Sequence, residues 1–247
     1  MSEKSLHKID VGNLATIEPL NDIEVFLDFC HNDIQSAIAE LNKIKTEANR
    51  KHLQKLVYVN LVDRFDYLVD KLLLWLSINN PNLREEILRL VDEEPISKKE
   101  VFEIIFMKDR SYETVVDKMK DLTRGNLLRQ RHSVKLCKIL DKCLAWKAVS
   151  NQPRVGADGK IFAKTQRSKE QPNSIIGYAD WLYSRRNSYV HGDGKHYSPK
   201  DFEYIQKTFM KGDLSTSLRL KLASIKSAVT YYTDLLTKVY EDIETMG

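Results

Sequence analysis

Apolar residues recur at steps of three and four along most of this chain, and that spacing limits its fold more than any other feature. In the stretch 21–44 they form one stripe: Ile23, Phe26, Leu27, Cys30, Ile34, Ile38, Leu41 and Ile44. Because an α-helix has 3.6 residues per turn, such a stripe lies on one side of a helix. The 247 residues include only 9 glycines and 6 prolines, so few positions interrupt long helices. We therefore predict an all-α protein, a bundle of helices.

The same spacing predicts where the other helices lie. A long helix with a broad apolar face covers about 51–79 and ends at Asn80-Pro81, because proline disfavours helix at the residue before it. Ser198-Pro199 is expected to open another helix, with proline in its first turn. The remaining helices are predicted at about 82–91, 98–108 and 111–121, from the Gly125-Asn126 region to about Ser150, at Ser174 to Val190, and at about 214–245.

We predict a flexible N-terminal arm at 1–20 and a single α-helical domain at 21–247. Gly12 and Pro19 interrupt the polar arm, and Asn21 or Asp22 can cap the first helix. Within the domain, the basic and polar stretch 151–173 is expected to be a mobile loop, because loops of this length are usually functional or disordered. A small hairpin between Arg154-Val155 and Ile161-Phe162, around an Asp158-Gly159 turn, is one conformation open to this loop.

Positive charge is concentrated in the stretch 124–173. The net charge of the chain is only +4, but here lysine and arginine far outnumber the acids, which are Asp141, Asp158 and Glu170. This basic run suits contact with RNA phosphates, and a solvated protein surface explains it equally well. His132 follows Arg129-Gln130-Arg131 and has the same two interpretations, an RNA-facing patch or a solvated helix face.

Cysteine usage and the N-terminus indicate a cytoplasmic protein. Cys30, Cys137 and Cys143 form neither a disulfide framework nor a Cys-x2-Cys zinc pair, so we expect reduced thiols and no metal. The first residues are polar with no apolar stretch behind them, which argues against a signal peptide. The longest apolar cluster, Leu72 to Leu76, is too short to span a bilayer, so no membrane partner is expected.

The residues with the clearest chemistry are Arg186-Asn187-Ser188-Tyr189-Val190-His191, followed at once by Gly192. Arginine is a fixed cation for a phosphate, and histidine carries a proton near neutral pH. Asn187 and His191 are about 40° apart on a helix and share a face, whereas Arg186 and His191 are about 140° apart. They converge if the long arginine reaches round and the helix ends at Gly192. Asn187 would then orient the imidazole or donate to a phosphate oxygen, and RNA could be cleaved without a metal.

This hexapeptide resembles the Arg-x4-6-His signature of the HEPN superfamily, which has Asn directly after the Arg and often Gly after the His. Members are small α-helical bundles, and many are metal-independent ribonucleases of toxin–antitoxin, phage-defence, CRISPR-associated and RNA-decay systems. They typically dimerise so that two motifs form one cleft. The resemblance implies that Arg186 and His191 are the catalytic pair, with Asn187 inside the motif, no cofactor and a homodimer. Arg185 is an alternative start of the motif.

The resemblance also bears on the domain. The helix at 51–79 is similar to the earlier bundle helices of the ribonuclease-L- and PSP-associated HEPN group. Residues 82–173 exceed a minimal domain of this type and are interpreted as an inserted helical segment with the basic loop.

Four further residues are candidates for RNA binding: Arg185, Tyr189, Lys195 and His196. Tyr189, like Trp181, could stack on unpaired bases, or both could pack at a dimer interface. Lys195 and His196 either reach phosphate or are solvated loop residues. We predict a metal-independent endoribonuclease that leaves 2′,3′-cyclic phosphate, a toxin or antiviral-defence effector with a possible antitoxin or defence-system partner protein. The alternatives are a HEPN-like module that binds RNA, a nucleotide or a protein without cleavage, and a structural helical protein whose hexapeptide is accidental.

Overall fold

The computed structural model of the chain describes residues 11–79, 99, 131–143, 153–162, 170–215 and 218–246. These residues are mostly helical, with two very short strands, which confirms the all-α prediction. The helices are α1 Val11–Phe29, α2 Gln35–Lys43, α3 Glu47–Asn79, α4 His132–Cys143, α5 Ile175–His191, α6 Pro199–Phe209 and α7 Leu222–Met246. A π-helical turn, Cys30–Ile34, joins α1 to α2. Strands β1 (Arg154–Val155) and β2 (Ile161–Phe162) pair antiparallel.

Helix α3 lies at the centre of the bundle and contacts α1, α4, α5 and α7. Its side chains Tyr58, Leu61 and Phe65 are completely buried. Phe65 stacks on Tyr232 of α7 with ring centroids 4.0 Å apart. The Tyr58 hydroxyl donates to the backbone carbonyl of Leu182 in α5, at 2.9 Å, so that even its polar end is satisfied. Burial of these large side chains is the main force that holds α5 against α3.

The N-terminal prediction is wrong in its boundary. Helix α1 begins at Val11 rather than at Asn21 or Asp22, and Pro19 lies inside it. Pro19 is buried, so packing against the bundle offsets the backbone hydrogen bond that a proline removes. The predicted stripe is carried by α1, the π-helical turn and α2 together, because the wide turn keeps Cys30 and Ile34 in the core.

The last helix was also predicted to begin too early. It starts at Leu222 rather than near residue 214, although Leu214 and Leu218 are buried as their spacing suggested. The backbone before α7 donates hydrogen bonds to distant loops instead of forming the hydrogen bonds of a helix. The Leu218 N–H donates to the Lys195 carbonyl at 2.9 Å, and the Ser215 N–H donates to the Glu170 carbonyl at 3.3 Å.

The hairpin within the basic loop is present and anchored. Val155 is completely buried, and the Ile161 N–H donates to the Asp234 carboxylate at 3.2 Å. Gly159 has φ +88°, and a Cβ there would lie 1.9 Å from the Ser227 carbonyl oxygen, so only glycine permits this approach to α7. This part of the predicted mobile loop is therefore a packed element.

Several predictions lie outside the described residues. They are the helices at 82–91, 98–108 (apart from Lys99) and 111–121, the ends of the helix predicted to reach Ser150, and most of the insertion at 82–173. Among the described residues, no helix has the length and apolar character to cross a membrane.

Helix α4 corrects the interpretation of the basic run. Lys135 is buried, and its Nζ donates to Asp70 at 2.7 Å and to Asp66 at 3.0 Å, both on α3. His132 was expected on an RNA-facing or a solvated surface, and both expectations are wrong. It is 1% exposed, stacks on Tyr183 with ring centroids 5.1 Å apart, and lies 2.7 Å from the Asp66 carboxylate through Nδ1. Both side chains fix α4 to α3, because each is hydrogen-bonded to a carboxylate of α3 and Lys135 is neutralised there.

Charge pairing also fixes α4 to α5. Arg131 donates from Nε and Nη2 to the Asp180 carboxylate, at 2.8 and 2.6 Å, and from Nη1 to Asp201 at 3.0 Å. Its guanidinium lies 3.8 Å from the centre of the Tyr204 ring. Asp180 is completely buried, so this two-pronged pair joins α5, α6 and the start of α4.

Candidate active site

Helix α5 carries the hexapeptide, and its bounds agree with the sequence prediction to one residue. The Ser174 Oγ caps it by accepting the Gly177 N–H at 3.2 Å. Its buried residues Tyr178, Ala179 and Leu182 pack into the core, and the Tyr231 hydroxyl donates to the Ile175 carbonyl at 2.9 Å. The helix ends at His191, as Gly192 suggested.

A tight turn follows α5 and folds the chain back toward it. The N–H groups of Gly192 and Gly194 both donate to the Ser188 carbonyl, each at 3.1 Å. Gly194 has φ +67°, in the left-handed region that glycine adopts without cost. Asp193 Oδ1 accepts the N–H groups of Lys195 and His196, at 2.7 and 2.9 Å. The turn therefore returns His196 to the end of α5.

An open cleft of about 590 Å³ lies at this end of the helix. Three residues of the hexapeptide that were expected to converge, Arg186, Asn187 and His191, all line it, as does His196. Arg186 and His191 therefore open onto the same cleft despite their angular separation on the helix. The other lining residues are Tyr183, Ser188, Gly192, Asp193, Tyr197, Ser198 and Asp201.

Arg186 is held in the cleft by its neighbours. Its Nε donates to the Asp63 carboxylate of α3 at 2.5 Å, and its Nη1 donates to the Asn187 side-chain oxygen at 3.1 Å. The guanidinium also lies 5.7 Å from the centre of the Tyr183 ring. Arginine carries five N–H donors, so these two bonds fix the plane of Arg186 and leave donors for a phosphate. Asn187 contacts the guanidinium rather than the imidazole.

The two histidines in the cleft differ in their surroundings. His191 is exposed at the helix end, and its side chain makes no hydrogen bond to any described residue. His196 Nδ1 lies 2.8 Å from Asp193 Oδ2. Hydrogen bonds from His196 and from the backbone N–H groups of Lys195 and His196 hold the pKa of Asp193 well below its usual range. An ionised carboxylate only accepts, so His196 donates from Nδ1 and keeps Nε2 for another partner.

Two predicted RNA-binding residues lie elsewhere. Tyr189 is half-buried, edge-on to Tyr58 with ring centroids 5.7 Å apart, and Lys55 Nζ lies 5.6 Å from its ring centre. Lys195 is exposed but does not line the cleft. Trp181, considered for base stacking, is 9% exposed and packs in the core.

Arg185 points away from the cleft, although it is the immediate neighbour of Arg186. It is 6% exposed, stands 4.6 Å from the Trp181 ring centre and donates from Nη2 to the Arg219 carbonyl at 3.1 Å. It lines a second cavity, and only Tyr197 lines both. Of the two possible motif arginines, Arg186 is thus the one beside His191.

Sequence reasoning did not single out Asp63 or Asp193. Asp63 lies 123 residues from Arg186, and no local pattern links them. Asp193 had a usable signal, since Asp between two glycines commonly bonds the backbone ahead of it in a turn. Among the described residues, no group of three or more His, Cys, Asp or Glu side chains could hold a metal ion.

Comparison with known proteins leaves the cleft as the main guide to function. No family model matches the chain, and neither a curated protein nor a solved structure matches it.

Proposed function

We propose that this protein is a metal-independent endoribonuclease of HEPN type. In the proposed reaction the 2′-hydroxyl of RNA attacks the adjacent phosphorus and the bond to the 5′-oxygen breaks. The products are a 2′,3′-cyclic phosphate and a 5′-hydroxyl. The observation that supports this proposal most is that Arg186, Asn187, His191 and His196 line one open cleft. That set combines a fixed cation with two proton carriers, which are the groups the reaction needs.

Arg186 is the proposed phosphate-binding residue. Negative charge accumulates on the non-bridging phosphate oxygens in the transition state, and a guanidinium pre-oriented by Asp63 and Asn187 stabilises it without further rearrangement. Asp63 is a positioning residue in this scheme, because it acts through Arg186. Lysine would not replace Arg186, since a single ammonium cannot keep the Asp63 bond and also present a planar pair of donors.

His191 and His196 are the proposed acid–base pair. One imidazole takes the proton of the attacking 2′-hydroxyl, and the other gives a proton to the departing 5′-oxygen, so the enzyme's net proton count is unchanged. Asp193 accepts the Nδ1 proton of His196, which leaves Nε2 to carry the transferred proton. His191 has no such partner among the described residues and reaches the cleft directly from the helix end.

A homodimer that joins two motif ends is part of the proposal. Large apolar side chains are exposed near the motif, with Val190 at 45% exposure beside His191 and Leu56 at 52%. Leu56 follows Lys55, whose Nζ lies over the Tyr189 ring. Contact with another protein surface would bury both side chains, and the homodimer itself rests on the HEPN resemblance. A cytoplasmic toxin or antiviral-defence role, with an antitoxin or another partner protein that controls it, rests on the HEPN resemblance alone.

Cleavage in the presence of EDTA tests the proposal. Purified protein is incubated with single-stranded RNA, and the ends are examined for 2′,3′-cyclic phosphate. We expect wild type to cleave, and Arg186→Ala and His191→Ala each to lose at least about a hundredfold in rate. His52→Ala, at an exposed position on α3 away from the cleft, is the matched control and should retain full activity.

The same assay separates the alternatives. If wild type binds RNA and never cleaves it, the protein is a binding module and the nuclease proposal is wrong. If neither binding nor cleavage occurs, the hexapeptide has a structural role. His196→Ala decides the origin of the second proton carrier. Loss of cleavage assigns it to His196, whereas full activity assigns it to the partner protomer of a composite cleft.

A further inference from the structure

Arg185 is a buried cation that no carboxylate neutralises among the described residues. Its Nη2 donates to the Arg219 carbonyl at 3.1 Å, the Tyr189 hydroxyl lies beside the guanidinium, and Nε has no partner among the described residues. The Trp181 and Tyr58 rings lie 4.6 and 5.8 Å from its guanidinium carbon, and they compensate the charge only in part. Arginine does not give up its proton in a protein, so burial cannot be relieved by neutralisation. A buried charge without a counter-ion is unfavourable, so an anion placed beside Arg185 would be strongly stabilised.

The cavity beside Arg185 has the space and the charge for such a partner. It measures about 450 Å³, and the described residues that line it include the cations Arg185, Arg219 and Lys221 and one carboxylate, Glu170. Because these cations outnumber the carboxylate by two, the cavity favours an anion with more than one negative charge. Gln171 also lines it, and its Nε2 is buried without a partner. These two unpartnered donors, on Arg185 and Gln171, belong to separate segments of the chain.

Helix α7 strengthens the positive character of the same cavity. Ala223 and Ser224, in the first turn of α7, line it, and that turn contains no acidic residue. The Ser224 N–H already donates to the Lys221 carbonyl at 2.9 Å, but the positive end of the helix dipole still attracts anions. Hydroxyls of Ser215 and Ser224 are further polar groups on its wall.

We propose that this cavity binds a phosphate group, free or carried by a small molecule, with Arg185 as its buried anchor. A phosphate dianion matches the excess of two positive charges in the described lining, and its several oxygens can accept from Arg185, Arg219 and Lys221 together. A single carboxylate would leave one of these charges unmatched. The site is separate from the proposed catalytic cleft and does not depend on RNA cleavage.

Binding is tested on the full chain without RNA, by titration calorimetry and thermal unfolding. The probes are inorganic phosphate, pyrophosphate and AMP, with chloride and acetate at the same ionic strength. We expect the phosphate compounds to raise the Tm by about 3 °C or more at saturation, and chloride and acetate to leave it unchanged. Inorganic phosphate as the tightest ligand identifies a free-phosphate site, and tighter binding of AMP identifies a phosphorylated small molecule.

Four variants locate the site. Arg185→Met should weaken phosphate binding at least about tenfold. Arg219→Ala, at an exposed position, should weaken it without disturbing the core. Lys226→Ala, an exposed cation of α7 outside the cavity, is the matched control and should bind as wild type does. Arg186→Ala should also bind normally. If binding survives in Arg185→Met and Arg219→Ala, or is lost in Arg186→Ala, the anion site is not this cavity and the inference is overturned.

Discussion

Arg185 and Arg186 are neighbours in sequence but sit in opposite electrostatic environments. On the Arg186 side of α5, the charges have partners: Asp63 holds Arg186, and Asp180 of the same helix holds Arg131. On the Arg185 side, the guanidinium is more deeply buried and faces aromatic rings and a backbone carbonyl. A helix turns about 100° per residue, which is enough to send adjacent side chains into different cavities.

The contrast separates charges that build the fold from a charge that we propose is kept for a ligand. A buried ion pair that loses one partner leaves an uncompensated charge and destabilises the protein. A buried charge that has no partner already carries that cost, so its removal should be nearly free. Substitutions on the two sides are therefore expected to differ most in the free energy of unfolding.

The largest effect on the free energy of unfolding is expected from Asp180→Asn, which removes a charged partner of Arg131. Asp180 is completely buried and accepts hydrogen bonds from Arg131 and from the Ser184 hydroxyl. Its loss leaves Arg131 with only Asp201, and we expect unfolding to become easier by about 3 kcal/mol in urea titrations. Asp22→Asn breaks an ion pair with the more exposed Lys71 and should cost less than about 1 kcal/mol. Equal losses of unfolding free energy in Asp180→Asn and Asp22→Asn would contradict the distinction between buried and exposed ion pairs.

A smaller effect is expected from acid, through Asp66. Burial raises the pKa of this carboxyl, but the His132 hydrogen bond and the charges of His132 and Lys135 outweigh burial and hold the pKa at about 2, below the usual 3.8. A depressed pKa stabilises the fold above about pH 4, and this stability is lost as the pH falls toward 2. The shift corresponds to about 2 kcal/mol.

Urea unfolding between pH 2 and pH 5 measures this contribution in wild type and in Asp66→Asn. Burial raises the pKa of the neighbouring Asp70, so the difference between the two proteins isolates Asp66 better than wild type alone. We expect the free energy of unfolding to rise more steeply with pH in wild type than in Asp66→Asn. If the free energy of unfolding changed with pH in the same way in both proteins, Asp66 would not account for the acid sensitivity of the fold.

Features that neighbouring residues determine could be predicted from the sequence, whereas features that depend on residues distant in the chain could not. The bounds of α5 were predictable because Ser174 and Gly192 act locally, and the Arg154-Val155 and Ile161-Phe162 hairpin was predictable from its turn. The start of α7 was not, since the bonds that keep Leu218 out of the helix come from the distant Lys195 carbonyl. Local patterns do not encode such contacts.

The same limit applied to the site. Arg186, Asn187 and His191 lie within one helical segment, so their convergence could be expected from the sequence. Asp63, which orients Arg186, comes from a different helix. The burial of His132 depended on Asp66 in the same way, and a run of basic residues therefore looked like a free surface.

Asp63→Asn tests the Arg186 side of α5, because it removes the carboxylate that holds Arg186. The pair that it breaks is partly exposed, so unfolding should change by less than about 1 kcal/mol. A loosened Arg186 should nevertheless slow the proposed RNA cleavage by about tenfold to a hundredfold, because misplacement of a phosphate-binding group is costly. Cleavage rate and urea midpoint are measured on the same preparation, beside Asp22→Asn. A large loss of stability with an unchanged rate would make Asp63 a structural residue only.

The smallest effect on stability is expected from Arg185→Met in phosphate-free buffer. Methionine fills a similar space and carries no charge to desolvate, while the lost contact with the Trp181 ring acts in the opposite direction. We expect the free energy of unfolding to stay within about 1 kcal/mol of wild type. Added phosphate should then stabilise wild type and leave Arg185→Met unchanged. A loss of about 3 kcal/mol without phosphate would mean that Arg185 is needed for folding, and the two sides of α5 would no longer differ in kind. A small loss, together with stabilisation by phosphate in wild type and not in Arg185→Met, would assign this arginine to the ligand of the cavity rather than to the helices around it.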